Sequence, residues 1–233
     1  MMGFSNRSRL PELMDNPYVP DADVRIALVE IEFINRYLGG NNLLVNALSK
    51  VGFTNGTTLM DLGCGSGDML RIISNFALKN KLSSYKLFGV DINPSMTSFA
   101  ESRSKAFPEI EFINIDIWDE KLFGFKPDII INSLFCHHFD DDQLVLLIKR
   151  MYNLCGKVII INDLHRHWFA YYAIKCLTFL FSKSYLVKYD GPLSVARALT
   201  KAEWMKLLFR AEVYNYQINW KWAWRWQIII HKK

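Results

Sequence analysis

The run Asp61-Leu62-Gly63-Cys64-Gly65-Ser66-Gly67-Asp68 sets an acid two positions ahead of three glycines at alternate positions. Glycine permits the positive φ of a tight turn and removes the Cβ atoms that would hold a ligand away from the backbone. A dinucleotide-binding loop spaces its glycines as GxGxxG and carries a pyrophosphate on the following helix N-terminus. Here the spacing is GxGxG, and a carboxylate at Asp61 repels a pyrophosphate but attracts an ammonium group. Downstream, Asp91 in Gly89-Val90-Asp91-Ile92 offers two oxygens to two ribose hydroxyls. Asp116 in Asn114-Ile115-Asp116-Ile117 can accept from an adenine amino group while Ile92 and Ile117 sandwich the ring. A single aspartate after a strand is more often a helix cap or turn former. Three in succession after an acidic GxGxG describe a pocket for an adenosine that carries an amino acid and no phosphate.

Histidines fall near the same edge, with His137 and His138 after one apolar run and His165 and His167 after the next. An imidazole, with an ordinary pKa of ~6.5, can take the proton of a phenol or enol near neutral pH. His138 and His165 are the candidate bases; capping a helix or satisfying a buried carbonyl is the competing role for each. Arg166 can pair either an acidic ligand or Asp163.

These residues need a scaffold, and the apolar periodicity supplies one. Helical patterns cover about 22–38 and 41–50. From Thr57 strand-like runs alternate with helices: TTLMDL, then 67–80; YKLFGVDI, then a helix opening at Asn93-Pro94; EFINID; DIIINSLF, then 141–154; KVIIIND. Such alternation marks βαβ units and an α/β fold with at least five parallel strands covered by helices. Ligands bind outside the carboxyl ends of such strands, where the acids and histidines lie. A helix at about 167–182, a polar elbow at Tyr189-Asp190-Gly191-Pro192, a helix at 200–211 and closing strands at about 212–218 and 225–231 complete the reading. The resulting division is an N-terminal helical cap (1–54), a cofactor-binding core (55–164), a substrate-side insertion (165–199) and a closing helix with strands (200–233).

At this point the chain resembles the class I S-adenosylmethionine-dependent methyltransferases, and within them small-molecule enzymes of the ubiquinone/menaquinone-biosynthesis type. The resemblance covers about 55–165. It rests on Leu59-Met60-Asp61-Leu62-Gly63-Cys64-Gly65-Ser66-Gly67, Gly89-Val90-Asp91-Ile92-Asn93, Ile115-Asp116-Ile117 and Asn132-Ser133-Leu134-Phe135-Cys136-His137-His138-Phe139. It implies a Rossmann-like seven-stranded sheet in the order 3-2-1-4-5-7-6 with the last strand antiparallel. It also implies S-adenosyl-L-methionine as cofactor, with Asp61, Gly63 and Gly65 at the methionine end, Asp91 at the ribose, Asp116 and Ile117 at the adenine, and Ser133 as a fourth-strand contact. The flanking PELMDNP and Asn162-Asp163-Leu164-His165-Arg166 segments are similar to a bacterial subgroup associated with polyketide and quinone-like pathways. The expected reaction is methyl transfer to a small, hydrophobic, phenolic or quinol-like acceptor. The alternatives are a cofactor-binding scaffold without turnover and an RNA or protein methyltransferase.

Composition narrows these choices. Hydrophobic residues make up 51% and charged residues 22% of the 233, enough for a packed core and unlike a disordered chain. The last 33 residues hold 7 basic against 2 acidic side chains and the first 200 hold 21 of each, so the net charge of +5 is an end effect. A nucleic-acid groove needs basic residues spread along a face, and no Asn/Asp-Pro-Pro-Tyr follows the fourth strand, so no nucleic-acid partner is expected. Four cysteines without CxxC spacing and an N-terminus without an apolar core imply a reducing, cytoplasmic setting and no metal. The stretch from Trp168 to Phe181 is apolar nearly all round, and core packing is its default reading, ahead of a lipophilic pocket or a membrane surface. Trp220, Trp222, Trp224 and Trp226 alternate, so an extended chain would place all four indoles on one face. Core packing is the plain reading there too, and a membrane or dimer surface the other.

Overall fold

In a computed structural model, which describes residues 4–232, a central sheet follows the order β3-β2-β1-β4-β5-β7-β6. The strands are β1 (Thr58–Leu62), β2 (Lys86–Asp91), β3 (Ile110–Asn114), β4 (Ile129–Ser133), β5 (Val158–Leu164), β6 (Tyr216–Lys221) and β7 (Arg225–His231). The first five pair in parallel, and β7 runs antiparallel to both β5 and β6. The helices are α1 (Asp21–Tyr37), α2 (Gly40–Val51), α3 (Asp68–Lys79), α4 (Pro94–Arg103), α5 (Asp141–Leu154), α6 (Trp168–Phe181), α7 (Tyr185–Arg197) and α8 (Lys201–Arg210).

The strand sequences are apolar runs because both faces of the sheet are covered. Met60, Leu62, Ile130, Ile159, Ile161, Ile228 and Ile230 point to one side, where α5 and α8 supply Leu144, Ile148 and Trp204. Their alternate neighbours Leu59, Ile129, Ile131, Ile160 and Ile229 point to the other, against Leu44 and Leu48 of α2 and Leu70 and Ile73 of α3. The edge strands β3 and β6 alternate instead between partly buried and exposed positions. Caps fix where the helices begin. Asn93 accepts from Ser95 and Met96 ahead of α4, and capping boxes of Asp140 with Gln143 and Thr200 with Glu203 open α5 and α8.

Four expectations are corrected. The elbow at 189–192 lies inside α7, with Gly191 and Pro192 helical. Proline there removes one helical hydrogen bond, but α7 buries Leu186, Val187, Leu193 and Val195, and a Cβ on Gly191 would stand 3.4 Å from Thr178 of α6. Close packing of α6 on α7 therefore outweighs the local breaker signal. Strand β6 starts at Tyr216, with Glu212 at a positive φ of 62° turning the chain before it. The four tryptophans do not form one ladder: Trp220 pairs across from Trp226, and Trp222 and Trp224 occupy the turn between β6 and β7. The Trp226 indole N–H donates to the Leu199 carbonyl at 3.0 Å. Finally, α6 is not a core helix. Ala170 and Thr178 are its buried residues, while Trp168, Phe169, Tyr172, Phe179, Leu180 and Phe181 are exposed. Among the described residues no helix is long and apolar enough to cross a membrane.

Candidate functional site

A cavity of 770 Å³ opens at the carboxyl ends of β1, β2 and β4, a volume in the range of small-molecule sites. Its floor is the loop after β1. Gly63 sits at φ +74°, and a Cβ there would fall 2.5 Å from the Phe135 ring; Gly67 at φ +71° would meet Phe112 at 2.6 Å. Positions 63 and 67 must therefore be glycine, which leaves the loop backbone there open to a ligand.

Two of the three expected acids meet across this floor. Asp61 is buried, lines the cavity, and its Oδ1 has no hydrogen-bond partner. Burial, reinforced by the charges of Asp68 and Asp91, pushes its pKa well up. Asp68 also lines the cavity with an unpartnered Oδ2, and burial together with Glu32 raises it to about 6 against the opposing charge of Arg71. Asp91 accepts from the Gly65 N–H at 2.9 Å through one oxygen and from the Asn93 N–H at 2.9 Å through the other, leaving a lone pair on each. Its pKa too is raised by burial, against those backbone donors. Unpaired buried carboxylates beside an open cavity call for a cationic ligand rich in donors.

Asp61, Gly63, Gly65, Asp91, Ile92, Ser133 and His138 all line the cavity. Asp116, Ile117 and His165 do not. Asp116 lies two residues beyond the end of β3, is exposed, and accepts from the Trp118 N–H at 2.9 Å as a turn former. Ile117 is buried in the core, whereas Ile92 stands largely exposed at the cavity rim. The His165 ring packs on Trp226 with centroids 4.7 Å apart, and burial lowers its pKa, with His167 and Arg166 adding to that. Arg166 stands outside the cavity lining and does not pair with Asp163: it donates to the carbonyls of Phe4, Ser5 and Ala198 and pairs with Glu203 at 2.6 Å.

The acceptor-side wall holds residues that spacing alone did not connect. Glu12, Asp15, His137 and His138 line it together. His137, on the short 3-10 turn Cys136–His138, places Nδ1 2.7 Å from Asp163 Oδ1, and Asp163 also accepts from the backbone N–H groups of His137 and Leu164. Burial opposes the Asp163 charge, but His137 outweighs it and holds the carboxyl below its ordinary range. Arg197 donates to the carbonyls of Leu10, His137 and His138, and Asp190 accepts from the N–H groups of Leu13 and Met14. These contacts strap the PELMD segment over the histidine turn. The remaining wall is apolar, with Phe169, Ile174 and Leu177 from α6, Val187 from α7 and Trp222.

Residues 59–157 match the methyltransferase domain family. A carboxy-S-adenosyl-L-methionine synthase of Campylobacter jejuni subsp. jejuni is 33% identical over 145 residues, 60% of this chain and 58% of that protein. The chain thus spans 58% of the length of this curated relative. Among solved structures, a plantazolicin methyltransferase in complex with SAH aligns at TM-score 0.67 and 17% identity, covering 93% of this chain and 91% of that one. Human N-acetylserotonin methyltransferase in complex with SAM aligns at TM-score 0.64 and 17% identity, covering 92% and 57%. At such identities the two structures share the fold.

Proposed function

We propose that this chain, whose residues 59–157 match the methyltransferase domain family, is a class I S-adenosylmethionine-dependent methyltransferase that transfers the methyl group of S-adenosylmethionine to a small, apolar, hydroxylated acceptor. The observation that carries the reading is the convergence of unpartnered Asp61 and doubly anchored Asp91 on a glycine-rich loop, in a cavity whose far wall is largely apolar. The residues fit the cofactor. Asp61 and the loop suit an ammonium group, and Asp91 suits the ribose. The cofactor supplies an already activated methyl group when bound, so the protein's part is alignment and exclusion of water. Phe169, Ile174, Leu177 and Val187 hold an apolar acceptor, and Phe135 beside Gly63 keeps water from the loop. The Glu12–His137–His138 wall receives the acceptor's hydroxyl and assists its ionisation. The exposed aromatic face of α6 gives a lipophilic acceptor, and a membrane surface carrying it, access to the cavity.

On this reading His138→Ala lowers turnover by about 100-fold or more with cofactor affinity nearly intact, while His165→Ala leaves both within about twofold. Equal losses for the two variants in a labelled-methyl assay on phenols and quinols would refute the assignment. Transfer of label to any acceptor also separates the enzyme from a binding scaffold.

Cofactor affinity should depend on pH. Asp68 takes up a proton as pH falls through about 6, the value to which burial raises it, so the site loses charge that attracts a cation; burial favours the protonated form of Asp61 in the same sense. Affinity is expected to rise about tenfold between pH ~5 and ~7 and then level off. Calorimetric titrations showing constant affinity over that window would contradict it.

A second reading is favoured by one side chain. Arg225 is buried, lines the cavity, and has Nε and one terminal nitrogen unpartnered. An anionic co-reactant suits it, in keeping with the Campylobacter relatives, which are carboxy-S-adenosyl-L-methionine synthases. Mass spectrometry of the reaction distinguishes a methylated acceptor from a carboxylated sulfonium.

A further inference from the structure

We infer that Glu12, His137 and His138 bind a divalent transition-metal ion whose open coordination position faces the acceptor end of the cavity. One carboxylate oxygen and two imidazole nitrogens lie within 4.8 Å of one another. His137 Nε2 stands 3.6 Å from Glu12 Oε1, and His138 Nε2 stands 3.8 Å from Glu12 Oε2. Both distances are too long for hydrogen bonds. Ligand atoms about 2.0–2.2 Å from a tetrahedral ion stand ~3.3–3.5 Å apart, so both histidine–glutamate distances exceed that edge by only a few tenths of an ångström, and side-chain movement of about 1 Å draws the three together around a metal.

The orientation of the rings is the second, independent observation. His137 Nδ1 faces Asp163 at 2.7 Å and His138 Nδ1 faces Asp15 at 3.2 Å. A carboxylate accepts, so in the neutral rings each Nδ1 carries the proton and each Nε2 keeps the lone pair that an ion beside Glu12 would take. This is the arrangement in which an outer carboxylate fixes the tautomer of a metal-binding histidine. Glu12 and His137 are buried, and Ser194 Oγ steadies Glu12 at 2.9 Å. Arg197 Nε lies 3.8 Å from Glu12 Oε1, but its donors are spent on the carbonyls of Leu10, His137 and His138. Its charge is outnumbered by those of Glu12, Asp15 and Asp163. Two histidines and one carboxylate leave a vacant ligand position, as in catalytic rather than structural metal sites. All three ligand residues line the cavity, so that position can take the oxygen of an acceptor and favour its ionised form. That consequence rests on the methyl-transfer reading; the ion site itself does not.

Titration of chelator-treated protein with Co²⁺ tests the site, using its visible d–d absorption and displacement by Zn²⁺. The wild type is expected to bind one ion per chain without a thiolate charge-transfer band. Glu12→Gln and His138→Gln should each weaken binding by about tenfold or more, and Asp15→Asn by ~10–100-fold. Cys176→Ser and His165→Ala, which alter groups outside the cluster, should leave it unchanged. Melting curves show whether each variant folds, and His138, the most exposed of the three, serves if Glu12→Gln does not. Absence of stoichiometric binding by the wild type, or binding indifferent to Glu12 and His138, overturns the proposal. S-adenosylmethionine binding measured on the same samples separates this outcome from failure of the methyl-transfer reading.

Discussion

Asp91→Ala is expected to abolish calorimetrically detectable binding of S-adenosylmethionine. Asp91 ends β2 and holds the glycine loop through the Gly65 and Asn93 N–H groups while keeping a lone pair on each oxygen for the ribose. Hydrogen bonds to a charged group are worth about 1.5–3 kcal/mol each, so losing two ribose contacts alone costs about 100-fold or more in affinity. Release of Gly65 from its anchor adds disorder in the loop. Asp116→Ala is the informative control: its carboxylate is exposed and outside the cavity, so affinity should stay within about threefold of wild type. Equal losses for the two variants would return Asp116 to the site and refute the cavity described above.

Asp163→Ala is expected to cost the fold about 3–5 kcal/mol, a large share of the ~5–15 kcal/mol that holds a typical domain together. Its carboxylate is fully buried and accepts from the backbone N–H groups of His137 and Leu164 and faces the His137 ring. Truncation strands all three donors in a dry interior. Asp163→Asn keeps one carbonyl oxygen and should lose less. Denaturant melts of both variants check the order, and an Asp163→Ala protein as stable as wild type would show that the histidine turn is held by other contacts.

The sheet was legible because its strands announce themselves as runs of isoleucine, valine and leucine, each followed by a turn signal and a helical period. The order of the strands came from the resemblance. The floor of the site was legible for a related reason: an acid and three glycines at fixed spacing have few other physical explanations. Asp116 and Ile117 have the expected spacing from the strand but stand outside the cavity, their side chains serving the turn and the core because of the backbone direction beyond Asn114. His165 directly follows β5, but its ring packs on Trp226 and stands outside the cavity. Glu12 went unread altogether. It reaches His137 only because Arg197 and Asp190, both far along the chain, strap the N-terminal segment down. Nothing local in PELMD signals that contact. The apolar run of α6 read as core, since composition cannot tell a helix buried in its own protein from one presenting its greasy side outward at a cavity wall.

The most direct trial is a crystal structure of the chain with S-adenosylhomocysteine. The ligand's amino group is expected within hydrogen-bonding distance of Asp61 and its ribose hydroxyls on Asp91, with its sulfur turned toward the His137–His138 wall. Density for the nucleoside anywhere other than over the loop at 63–67, or both aspartates left without ligand contacts, would contradict the account.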